Sequence, residues 1–250
     1  MSIGNERDWT GLTRVVRVVR VVRLTLDAME REVRPGITTA ELNGIAVRMF
    51  AAHGARSAPA MVYGFPGTVL ISINDEVVHG VPGQRRFERG DVVKLDVTTE
   101  KGGYMADAAR TVVVEGGSPE AHRLARCARG AFKKALLVAT AGRRVSEIGR
   151  VVEQEVRGHG FRVVRGLDGH GIGRTIHEPP SVPNYYNPRQ TDLLTDGLVI
   201  TIEPIISAGS GMAVEGRDGW TIRTADGSLA AHHEHTVVIT NDRPVVLTAA

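Results

Sequence analysis

The chain of 250 residues carries 31 Lys and Arg against 28 Asp and Glu, a formal net charge of +3, with 42% apolar and 24% charged residues. This balance excludes a disordered or collagen-like chain and gives little support to nucleic acid as the main partner, and a chain of this length buries roughly 75% of the surface its unfolded form exposes. The single cysteine, Cys127, excludes an intrachain disulfide and a thiolate metal cluster; with no apolar run of about 20 residues and no signal-peptide pattern, a cytoplasmic protein without a membrane anchor is expected.

Residues 1–13 are expected to be flexible. From residue 14 to 23 the sequence reads Arg-Val-Val three times and then Arg, continuing to Arg34 as one predicted helix that Pro35-Gly36 stops. An Arg at every third position drifts by about 60° per repeat around a helix of 3.6 residues per turn. The stripe reads either as a basic surface for the ribosome, nucleic acid or anionic lipid, or as a surface helix whose valines pack inward, and the second reading is the simpler one.

The chain also repeats itself at an offset of 106 residues. Gly36, Glu41, Leu42, His53 and Gly54 fall on Gly142, Glu147, Ile148, His159 and Gly160, and each copy runs helix, glycine turn, helix, His-Gly, then a β-rich stretch. Thr38 and Glu41 form a capping-box pattern that the second copy lacks. One domain over 1–250 is expected, built from two halves at about 14–115 and 119–240 that pack around a pseudo-two-fold with a cleft between them. Strands are predicted over 69–73, 92–98, 108–114, 198–206 and 235–239 from β-branched content bounded by Gly, Pro or Asp.

Asp96 and Asp107 lie in the two arms of a predicted hairpin whose turn is Glu100-Lys101-Gly102-Gly103. A turn centred between Lys101 and Gly102 sets them directly opposite each other, with Cβ atoms roughly 4.5–5.5 Å apart. Such a pair either faces solvent or shares a cation. Glu203 sits inside an apolar run and Glu234 opens another, and carboxylates in such places need a cation or a hydrogen-bond network. His170, from the His-Gly-Ile-Gly-Arg segment, completes a set of four carboxylates and an imidazole that suits two divalent ions such as Mn(II), Fe(II), Co(II) or Mg(II) better than thiolate-loving metals.

The segments Ile-Ser-Ile-Asn-Asp-Glu-Val-Val-His79-Gly, Lys-Leu-Asp96-Val, Ala-Asp107-Ala-Ala-Arg-Thr, Gly-His170-Gly-Ile-Gly-Arg-Thr-Ile-His177-Glu, Thr-Ile-Glu203-Pro and Glu234-His-Thr together resemble type I methionine aminopeptidases over about residues 30–245. The resemblance implies an α+β pita-bread fold, two related halves with antiparallel sheet enclosing a dinuclear site. It implies that Asp96, Asp107 and Glu234 hold one ion and Asp107, His170, Glu203 and Glu234 the other, with Co(II), Mn(II) or Fe(II) as the expected metals and Zn(II) as a further candidate. Glu203 is then the general base, His177 the donor to the scissile carbonyl, and His79 a contact to the scissile nitrogen or new amine. The positions matching the methionine pocket are Pro59, Val62, Phe65, Leu70, Ile176 and Trp220, where bacterial members commonly have cysteines at 59 and 70 and aromatics at 62 and 176. Tyr63 replaces a histidine often seen near the mouth.

The implied activity is removal of N-terminal methionine from nascent chains and peptides by a monomer, with room for association with the ribosome and no specific nucleic-acid or membrane partner. Two other readings are an Xaa-Pro aminopeptidase or prolidase of the same fold, which usually carries an extra N-terminal domain, and a non-catalytic pita-bread protein that binds nascent chains or nucleic acid through the Arg-rich helix. Loss of metal ligands would mark the last, and all five are present.

Overall fold

Among the described residues, 9–249 of the chain in a computed structural model, five helices flank mostly antiparallel strands. Helix α1 spans Trp9–Glu32, α2 Thr39–His53, α3 Ala58–Tyr63, α4 Pro119–Leu136 and α5 Val145–Gly158. The first helix begins earlier than expected, so 9–13 are helical; residues 1–8 of the stretch expected to be flexible lie outside the described residues. No described helix is long and apolar enough to cross a membrane.

Along α1, Val15, Val18, Val19, Val21 and Val22 are buried, while Arg17 and Arg20 are exposed and Val16 is the one outward valine of the repeat. A period of three stays near 3.6 over so few repeats, so most valines remain on the core side. Arg23 pairs with Asp27 one turn on at 3.2 Å. Helix α2 starts with the expected capping box: Glu41 N–H donates to Thr38 Oγ1 at 3.0 Å and Thr38 N–H to Glu41 Oε2 at 2.8 Å. In α5 Glu147 accepts from Arg144 N–H at 3.1 Å, but Arg144 has no acceptor to return the bond, so only half the box forms.

Strand alternation fixes which side chains face the helices and which face the cleft. In the long hairpin of Val92–Lys101 and Tyr104–Val113, Val93, Leu95, Val97, Tyr104, Ala106 and Ala108 share a core with α1 and α2. Their neighbours Asp96, Thr98 and Asp107 therefore point to the other face. In the second half Ile200, Ile202, Val237 and Ile239 share a core with α4 and α5, which leaves Thr201, Glu203, Glu234 and Thr236 on the inner face. Helices cover the outside of both halves, and the acids converge inside.

Two expectations are corrected here. The hairpin turn is centred one residue later: Lys101 pairs with Tyr104, so Asp96 faces Ala109 and Asp107 faces Thr98. Gly102 and Gly103 both have positive φ, 63° and 82°, the requirement of a two-residue type I′ turn that matches strand twist. The two aspartates are thus diagonal neighbours on one face, at a backbone separation of roughly 7–8 Å, rather than directly opposed. The strand expected over 198–206 is also broken. Val199–Ile202 pairs with Glu234–Val238 in a nine-stranded sheet, whereas Ile205–Ser207 pairs with Ala230–His232 in a three-stranded one. Pro204, without an N–H, cannot continue the ladder.

Candidate metal centre and pocket

Glu203 and Glu234 both sit where the chain crosses from one sheet to the other, and this double crossing brings them over the hairpin face that carries Asp96 and Asp107. His170 comes from the short strand Gly169–Gly171. The register slips between His170 and Gly171, and a Cβ on Gly171 would lie 2.3 Å from Pro179 O. Only glycine permits the close approach that turns the imidazole inward.

Two groups of donors have all their ligand atoms within 4.8 Å of one another: Asp96, His232 and Glu234, and Asp107, His170 and Glu234. Glu234 belongs to both. Glu203 lies beside them, with Oε1 3.6 Å from His170 Nε2 and Oε2 3.6 Å from His232 Nε2. Thr201 Oγ1 donates to Glu203 Oε1 at 2.9 Å and accepts from His170 N–H at 3.0 Å, holding base and imidazole together. The Thr236 hydroxyl accepts from Asp107 N–H at 2.9 Å and donates to Asp107 O at 2.8 Å, fixing the hairpin against the second half.

Burial pushes the Asp107 carboxyl up to about 6. Burial, then the charge of neighbouring carboxylates, holds Asp96, Glu203 and Glu234 well above the ordinary range. His170 and His232 move the other way, to about 4 and about 3, because desolvation penalises the imidazolium. Asp96 Oδ1, Asp107 Oδ1, Glu234 Oε1 and both ring nitrogens of His232 are buried without a hydrogen-bond partner. Four acids and two neutral imidazoles, with orphaned oxygens and nitrogens, form a costly arrangement that divalent cations would neutralise and satisfy together. The residues fit divalent metal ions.

Above the acids lies a cavity of about 580 Å³ lined by Pro59, Phe65, Leu70, Ile176 and Trp220 among others. The Phe65 ring meets Trp220 edge to face at 5.3 Å. Val62, expected as a wall of the pocket, is not among the residues that line this cavity, whereas its neighbour Tyr63 on α3 is. His79 and His177 stand at the rim, both on the cavity. His79 has φ 60°, a left-handed conformation unusual outside glycine and a common companion of functional sites. His177 Nδ1 is 2.5 Å from the Tyr63 hydroxyl, and its ring packs against His170 at 4.2 Å.

His232 was not among the residues singled out from sequence, although it lies two positions before Glu234. The period-2 rule would have aimed both side chains at the same face. Asp168 was missed as well. It lines the cavity, with Oδ2 accepting from the Ser181 hydroxyl at 3.1 Å and Oδ1 unsatisfied.

Comparison with known proteins agrees with this geometry. Residues 14–241 match metallopeptidase family M24. The chain is 42% identical over 250 residues to methionine aminopeptidase 2 of Bacillus subtilis, covering 99% of each protein. Among solved structures it is similar to a methionine aminopeptidase from Thermotoga maritima, with a TM-score of 0.95, 31% identity and complete coverage of both chains. A prolidase from Pyrococcus furiosus shares the fold at a TM-score of 0.78 and 22% identity, but this chain spans only 65% of it. The two helix-backed halves with acids between them are the pita-bread arrangement of these neighbours, and the chain belongs to metallopeptidase family M24.

Proposed function

We propose that this protein is a methionyl aminopeptidase, a metal-dependent exopeptidase that removes the N-terminal methionine from new proteins and peptides. The observation that carries the reading is the pair of donor groups sharing Glu234 at the floor of an apolar, aromatic-lined cavity. Asp96, Asp107 and Glu234 would hold one divalent ion, and Asp107, His170, Glu203 and Glu234 would hold the second; Co(II), Mn(II) and Fe(II) suit this oxygen-rich set, with Zn(II) a further candidate. When bound, such ions supply the Lewis acidity that activates water and the scissile carbonyl.

The protein's own groups then act in sequence. Phe65, Leu70, Ile176 and Trp220 take the methionine side chain, whose flexible thioether packs well against aromatic edges. Glu203 takes the proton of the attacking water on Oε2 while Thr201 holds Oε1, and returns it to the leaving amine. The Tyr63 hydroxyl donates to His177 Nδ1, which leaves Nε2–H to donate to the carbonyl oxygen as negative charge develops there. His79 contacts the scissile nitrogen. Both halves serve as one catalytic domain. The protein acts as a monomer on nascent chains near the ribosome in the cytoplasm, a reducing compartment with which a sole cysteine that is free and buried accords.

Hydrolysis of Met-Ala and Met-Gly peptides by the purified protein, metal by metal, tests the activity beside Leu- and Xaa-Pro peptides. Release of methionine is the expected result. Cleavage of Xaa-Pro substrates alone would move the protein to the prolidase branch of the fold.

Ile176, 5% exposed on the cavity wall, gives a further prediction. Its branched side chain replaces a flat aromatic wall, and an apolar pocket discriminates by only about 1–3 kcal/mol per methylene. The parent enzyme is expected to prefer Met, to accept norleucine well, and to turn over Leu better than relatives with an aromatic wall. Ile176→Phe should raise the Met-to-Leu ratio of kcat/KM by roughly tenfold. An unchanged ratio would remove residue 176 from the specificity wall.

A further inference from the structure

We infer that His232 is a metal ligand, the imidazole partner of Asp96, so that each ion of the pair has a histidine of its own. The inference rests on the two-ion reading above and adds a donor to it. His232 is 1% exposed, the last residue of Ala230–His232, and its strand neighbour Ala231 lies in the core with α4 and α5. Alternation therefore sends the His232 ring to the inner face, where it lines the cavity floor. Its Nε2 lies 3.4 Å from Glu234 Oε2 and 3.6 Å from Glu203 Oε2.

Those distances are too long for good hydrogen bonds, and neither ring nitrogen has a partner. A buried imidazole with both nitrogens unsatisfied is rarely tolerated. The spacing does suit coordination: donors about 2.0–2.2 Å from a common ion stand up to about 4.4 Å apart when they lie on opposite sides of it, close to the 4.8 Å within which the ligand atoms of Asp96, His232 and Glu234 all fall. The second group, Asp107, His170 and Glu234, has the same composition of two carboxylates and one histidine.

A nitrogen donor on the Asp96 side raises the affinity of that position for transition ions over Mg(II). The consequence is a pair of sites matched in donor type, filled at closely similar metal concentrations. His232→Gln keeps a polar side chain of similar reach but no imidazole.

X-ray absorption of the parent protein loaded with two equivalents of Co(II) should show an average of one imidazole per cobalt. An average of one half, with His170 as the sole nitrogen ligand, would overturn the inference without any variant. Calorimetric titration of metal-free parent and His232→Gln with Co(II) and Mn(II) gives the second readout. One of the two binding steps should weaken by about 10- to 100-fold or more in the variant, with the metal-free proteins unfolding at similar temperatures. Both affinities preserved within about twofold would also overturn it, even if turnover fell, since His232 would then act on Glu203 alone. Failure of the parent itself to bind two ions would sink the two-ion reading, a result distinct from a one-half imidazole count in a protein that does bind them.

Discussion

Asp107→Asn is expected to abolish peptide hydrolysis and weaken the binding of both ions, as follows if its carboxylate serves both positions in the way proposed above. The same substitution has an opposite effect on the metal-free protein. The Asp107 carboxyl titrates at about 6 in the folded chain against 3.8 when free, so its contribution to stability is fully present below about pH 4 and is lost as the pH rises through 6. The loss grows toward neutral pH, and an asparagine, which never ionises, does not suffer it. Thermal unfolding without metal should therefore show parent and variant alike near pH 4 and the variant more stable at pH 8. The buried histidines work the other way. Their lowered folded pKa values give stability above about pH 6.5 that fades as the pH falls, but they are common to both proteins and cancel in the comparison. Saturating Mn(II) should reverse the order at pH 8, since an ion that binds only the folded parent stabilises it by mass action. A variant that kept parent metal stoichiometry and near-normal turnover would remove Asp107 from the centre.

The alternation of Leu95-Asp96-Val97 and Ala106-Asp107-Ala108 showed that both acids leave the helix-covered face, whatever the exact register. The register itself turned on one residue of a Gly-Gly turn. Centring that turn correctly requires recognising that a two-residue loop needs positive φ at both glycines, a backbone property that hydrophobic patterning does not report. Glu203 was legible as an acid stranded among apolar residues, whereas its place at a crossing between sheets depended on Pro204 and on long-range pairing with residues 230–238. His232 was hidden for the same reason. Its kinship with Glu234 follows the two-residue period, but the sheet change at His233, within a run of four histidines and acids, masks that period. Val62 and Tyr63 show the limit of matching by position, for both are exposed on α3 yet only Tyr63 lines the cavity.

Turnover, not metal binding, should separate His177 from the acids. His177→Ala is expected to lower kcat by about 10²-fold or more, the cost of one donor to a developing oxyanion, while leaving metal content intact. The geometry explains why the loss should fall on kcat. His177 stands at the rim, outside both donor groups, with Nδ1 held by the Tyr63 hydroxyl at 2.5 Å, which leaves Nε2 as the nitrogen available to donate to a carbonyl. A group that strengthens its hydrogen bond only as charge develops on the carbonyl contributes little to the ground state. Tyr63→Phe should then give a weaker copy of the same effect. The ring stays in place, but the bond that fixes the His177 tautomer is lost, and kcat should fall by roughly tenfold or less with little change in KM. The double variant should be no slower than His177→Ala alone, because Tyr63 acts through the imidazole. Fully multiplicative losses would assign Tyr63 an independent contact with the substrate, and a His177→Ala variant altered only in KM would exclude that residue from the transition state.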